Sequence, residues 1–114
     1  SEVNLQVVYA LMRAYPEAML EADVDGRLPL HVILESTPFP AIYVELGLKL
    51  LEQCPVSASV MSYNKLPLHI CLDQGLQPRL TLEVIRLYRG GTATRSPDGK
   101  LPLHLAVEYN SDSQ

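Results

Sequence analysis

A chain of 114 residues accommodates one domain with a modest core. It is 47% hydrophobic and 19% charged, with no Trp and a single Phe, so its apolar content suits helix-on-helix packing. A net charge of -4 argues against nucleic acid or an anionic membrane surface as the default partner, and no apolar run has the length of a membrane span.

In chain order, apolar residues at three- and four-residue spacing over 5–12 predict a first helix, broken at Tyr15-Pro16. Asp25-Gly26 then predicts a tight turn, since glycine tolerates positive φ. Leu28-Pro29-Leu30-His31 reads as a helix start, because a proline at the first helical position needs no N–H and has a helical φ already. That helix is expected to stop near Thr37-Pro38. The same order returns twice. A helix over 46–51 is broken by Cys54-Pro55, turned at Tyr63-Asn64 and restarted by Leu66-Pro67-Leu68-His69, up to Gly75. A helix over 82–88 is broken by Gly90-Gly91, turned at Asp98-Gly99 and restarted by Leu101-Pro102-Leu103-His104, up to Tyr109-Asn110.

The tetrapeptides are 38 and 35 residues apart. Internal periods of about 20 to 50 residues mark solenoids, in which each unit buries its apolar faces against its neighbours. The order of turn, L-P-L-H, inner helix, loop and outer helix resembles the ankyrin repeat, whose signature is T-P-L-H-x-A. The resemblance covers essentially all of 1–114 as one domain: an outer helix, two full repeats, and the turn and inner helix of another. It implies an all-α solenoid of stacked helix-turn-helix units with hairpin-like turns. Two departures stand out. Leucine at 28, 66 and 101 replaces the threonine that caps the helix, and the alanine is kept only at Ala106, with Ile33 and Cys71 in the matching places.

Three histidines at fixed places invite thoughts of a metal or of catalysis, and spacing argues against both. Packed helices lie about 8–10 Å apart, whereas a zinc ion needs nitrogens about 2.0–2.1 Å away. Within one helix, Cys71 points about 200° away from His69, so the two do not pair as nucleophile and base. No catalytic, cofactor-binding or metal-ligating residue is assigned, no cofactor is implied, and the chain is not expected to be an enzyme. The histidine is the third helical residue, the place from which a side chain reaches back to the cap residue's N–H. His31, His69 and His104 are therefore expected to be neutral, largely buried structural residues. Cys54 and Cys71 are too few for a disulfide framework and fit buried thiols in a reducing compartment, the cytoplasm with the nucleus as alternative.

The resemblance implies a protein–protein interaction module that takes a partner segment on the concave face of turn tips and inner helices. Carried onto this sequence, the tips are Val24, Asp25 and Arg27, then Ser62, Tyr63 and Lys65, then Pro97, Asp98 and Lys100. The exposed inner-helix positions are Glu35 and Ser36, Asp73 and Gln74, and Glu108 and Tyr109. Each tetrapeptide is preceded by a base (Arg27, Lys65, Lys100) and followed, four residues past its histidine, by an acid (Glu35, Asp73, Glu108). Stacking aligns these as a basic row beside an acidic row, either a solvated surface or a groove for a segment of alternating charge. Tyr63 and Tyr109 are the expected aromatic anchors.

Charge is uneven along the chain: 1–52 holds eight acids and three bases, while 79–100 holds five bases and two acids. The basic stretch would serve a nucleic acid only against the acidic balance of the whole. A rival reading is an accessory scaffold region of a larger enzyme or multidomain protein, with no chemistry of its own. Neither end carries a polar cap, which leaves a slice of a longer array or self-association through the stacking faces as alternatives.

Overall fold

A computed structural model of the chain describes residues 4–112, and among the described residues the regular elements are all helices, joined by turns and loops, with no strand. The helices are α1 (Leu5–Ala14), α2 (Pro29–Leu34), α3 (Ile42–Gln53), α4 (Pro67–Gln74), α5 (Pro78–Leu87) and α6 (Pro102–Asp112). Asn4 starts α1 by accepting the Val7 N–H on its Oδ1 at 3.2 Å. The tetrapeptide prolines all occupy the first helical position, as the sequence predicts.

Other boundaries differ. α3 begins at Ile42 and α5 at Pro78, about one turn before their strongest apolar stripes, because their opening turns mix apolar and polar residues. α6 continues past Tyr109-Asn110 to Asp112. The three breakers also do more than break. Each leads into a short 3₁₀ turn, Pro16–Leu20, Pro55–Ser59 or Arg89–Ala93, entered through a residue outside the helical region: Tyr15, Cys54 or Tyr88. Proline forces the preceding residue out of the α region at Tyr15 and Cys54. Tyr88 adopts the same geometry ahead of Arg89, where the buried Gly91 lies close to Leu66 and Leu68.

Each turn then reverses the chain toward the next tetrapeptide helix, α2, α4 or α6. Tyr63 and Asn64, at φ 53° and 64°, form a two-residue turn across which Ser62 and Lys65 exchange N–H···O bonds of 2.9 and 3.0 Å. The other two turns are one residue longer, closed by Asp23 N–H to Arg27 O at 2.9 Å and Ser96 N–H to Lys100 O at 2.8 Å. Gly26 and Gly99 take the left-handed position there, at φ 79° and 81°.

Helices α2, α4 and α6 pack side by side in that order, while α3 packs on α2 and α5, and α5 packs on α4. The molecule measures 41 × 26 × 26 Å. Its core is aliphatic, with Leu30, Leu34, Leu50, Leu51, Leu68 and Leu80 fully buried. Gly47 lets α3 and α5 approach, since a Cβ there would lie 3.1 Å from Leu80 Cδ1. Filling that space would overpack a core already near crystal density.

The histidines tie this stack together. In every tetrapeptide Nδ1 accepts the N–H of the leucine three residues earlier, at 3.0 Å in each case, the reach-back half of a capping box, which satisfies the cap residue's own N–H. Because Nδ1 accepts, Nε2 carries the hydrogen. In His31 it donates to Val60 O at 2.8 Å, and in His69 to Thr94 O at 2.9 Å, each a carbonyl of the following unit. His31 and His69 are fully buried, but His104 is exposed. The expectation of burial fails at His104 because α6 has no further unit packed on it among the described residues.

Candidate binding surface

Two kinds of residue lie at the turn tips and along α2, α4 and α6. The first are exposed apolar tip residues. Val24 is fully exposed, and Tyr63 keeps 70% of its surface in solvent. The second are charges. Arg27 Nη1 lies 3.5 Å from Glu35 Oε1, Lys65 Nζ 3.1 Å from Asp73 Oδ2, and Lys100 Nζ 2.8 Å from Glu108 Oε1. The basic row and the acidic row therefore close on each other, one ion pair per unit, each spanning eight residues. The hydrogen bond from Lys100 to Glu108 raises the lysine's pKa, with the carboxylate's charge adding to it.

Arg27 has further carboxylates at hand. Asp23 lies 3.3 Å from its Nη2 and Asp25 3.4 Å. Burial acts to lower the Arg27 pKa, but the charges of Asp23 and Asp25 and the pair with Glu35 raise it overall. Asp23 is held below the usual carboxylate range chiefly by the Arg27 backbone N–H, which it accepts at 3.0 Å. The Nε of Arg27 is buried without a hydrogen-bond partner. Ion pairs this open to solvent are screened by water and salt and add little to the fold's stability.

The expected contact residues do not all share this surface. Asp25, Tyr63, Asp73, Asp98, Glu108 and Tyr109 are exposed, and Arg27, Glu35, Lys65 and Lys100 are half-buried beside them. Ser62 is a correction. It is buried at the base of its turn, because the two-residue turn leaves Tyr63 and Asn64 alone at the tip. Its hydroxyl has no partner and no access to one. Gln74 is half-buried and occupied, donating from Nε2 to Glu35 O at 3.3 Å and so joining α4 to the end of α2. Tyr109 lays its ring over Gly75, where any Cβ would collide with it.

Sequence reasoning missed a groove of about 540 Å³ between α4, α5 and α6, lined by Cys71, Leu72, Leu76, Thr81, Leu82 and Ala106. Its lining comes from three helices, so no local pattern marks it. The one local signal was Leu82, an apolar residue that α5 leaves exposed.

Cys71 sits at the floor of this groove but is itself buried, and burial pushes its thiol up to about 12 against a smaller opposing hydrogen bond from Thr81. The thiolate is the reactive form, so this sulfur is inert at neutral pH. A thiol-reactive dye at pH 8 should therefore label only the half-buried Cys54 in the folded chain, with both cysteines labelled in denaturant. Rapid labelling of both in the native state would contradict this account. Among the described residues no three His, Cys, Asp or Glu side chains converge as a metal site, and no helix is long and apolar enough to cross a membrane. Comparison with family models, curated proteins and solved structures gave no match.

Proposed function

We propose that the chain is an ankyrin-type repeat module that binds a segment of a partner protein along its turn tips and the exposed flank of α2, α4 and α6, with no chemistry of its own. The observation that carries this reading is Tyr63. It occupies a left-handed backbone conformation, φ 53°, with most of its ring in solvent. Bulky side chains pay about 1–2 kcal/mol to adopt that conformation, and Asn, Asp or Gly is the usual occupant. Strain of this sort is retained where a side chain has a task, and an exposed tyrosine beside solvent-open ion pairs suits an interface anchor. The fully exposed Val24 one unit away and the half-exposed Tyr109 extend the apolar contacts along the same face.

The test separates binding from stability. Peptides are selected from a displayed random library against the full chain and measured on Tyr63→Gly and Lys65→Ala variants. Tyr63→Gly relieves the backbone strain and should leave stability unchanged or raised by up to about 1 kcal/mol. It should nevertheless weaken the selected peptides by about 10-fold or more. Peptides that bind the variant as well as the parent would refute the reading.

A further inference from the structure

Successive units bury against one another the residues that α6 leaves bare. Leu30 and Leu68 are 0% and 2% exposed, whereas Leu103, in the same place, is 74% exposed. The rings of His31 and His69 bond to a carbonyl of the next unit, whereas the exposed His104 makes only its cap bond among the described residues. The open groove over Thr81, Leu82 and Ala106 adjoins this face.

The opposite side of the molecule shows the complementary pattern. Counting back from Tyr15, Cys54 and Tyr88, Val7 of α1 matches Leu46 of α3 and Leu80 of α5, and Leu11 matches Leu50 and Val84. The four counterparts in α3 and α5 are core residues, between 0% and 4% exposed. Val7 and Leu11 are 53% and 64% exposed. One side of the chain thus presents the seat that inside the stack receives an outer helix, and the other presents an outer helix with its seating residues uncovered.

The charges agree. Glu17 and Glu21 lie in and just after the 3₁₀ turn that follows α1, while Arg89 opens the equivalent turn after α5 and Arg95 lies two residues past it. None of the four makes an ion pair among the described residues. In register Glu21 corresponds to Val60 and Thr94, the residues whose carbonyls accept from His31 and His69. Its own carbonyl would then stand opposite His104, and its carboxylate near Arg95.

We infer that the chain associates head to tail with a second copy, α1 of one molecule docking over α5 and α6 of the other. The contact is heterologous, so every addition regenerates both faces and assembly is open-ended. Tyr109 lines the docking groove as well as the peptide-binding face, but the turn tips stay free, so Tyr63→Gly tests peptide binding apart from this inference.

Sedimentation velocity of the full chain over a concentration series tests it, together with Leu11→Asp and Leu103→Asp. Both side chains are already largely in solvent, and melting curves of each variant check that the fold is kept. The wild-type chain should form dimers and larger species as concentration rises, less so at high salt. Each variant alone should be monomeric, its dissociation constant raised by about 100-fold or more by burying a carboxylate. An equimolar mixture should give a dimer and nothing larger, since one intact face of each kind survives. A wild-type chain that stays monomeric at every concentration would overturn the inference and leave these faces to a different occupant. Dimers of Leu11→Asp alone, which would mean like-to-like contact, or a mixture that stays monomeric, would overturn it too.

Discussion

Replacing His69 by Ala should lower stability by about 3–5 kcal/mol, read as a fall in urea midpoint at unchanged denaturant slope. The imidazole has two jobs on opposite edges. Nδ1 accepts the buried Leu66 N–H, and Nε2 donates to Thr94 O, a group 25 residues away in the next unit. Removing the ring orphans a donor and an acceptor at once, each at about 1–3 kcal/mol when water cannot replace the partner. It also leaves a void where the ring was, which adds to the loss. His31→Ala should behave alike, since its ring is equally buried and reaches Val60 O. His104→Ala is the internal control. It loses only the bond from Leu101 N–H at an exposed site, so about 0.5–1 kcal/mol is expected. If the variants at 69 and 104 cost the same, the link between units contributes nothing and the histidine is a cap alone.

The contrast between those two histidines also marks how far the sequence could be read. Helix starts were legible because Pro29, Pro67 and Pro102 fix φ locally, and recurrence made each reading support the others. The Nδ1 cap was legible for the same reason, being a matter of three residues. The Nε2 bond was not, since it joins groups 29 and 25 residues apart and depends on how units stack. Ser62 was misplaced by a one-residue difference in turn length, which a periodic alignment absorbs without notice. The basic and acidic rows were visible as rows, but their closure into Arg27–Glu35, Lys65–Asp73 and Lys100–Glu108 pairs needed the chain reversal that brings each tip over its helix. The 3₁₀ turns were invisible because five residues carry no periodicity to detect.

Leu68→Ala should cost about 3–5 kcal/mol, while Leu103→Ala, the same substitution in the same tetrapeptide, should cost under about 0.5 kcal/mol. Leu68 is 2% exposed on α4, which lies between α2 and α6, and it also faces the buried Gly91. Truncation loses the transfer free energy of the removed carbons and leaves a cavity that neighbours fixed on both sides cannot collapse to fill. Gly91 in particular has no side chain with which to fill it. Leu103 is 74% exposed, so its truncation removes little from contact and opens no cavity. The comparison belongs in dilute protein, where any contact between copies through α6 is dissociated and only the fold is measured. Hydrogen exchange then gives a second, local readout: protection of the α4 amides should fall in Leu68→Ala while that of the α6 amides is unchanged in Leu103→Ala. Equal costs at 68 and 103 would mean that α4 is not enclosed between its neighbours. Equal costs would also remove the physical basis for treating the bare face of α6 as an unfilled seat, because that argument rests on what burial does for the same leucine one unit earlier.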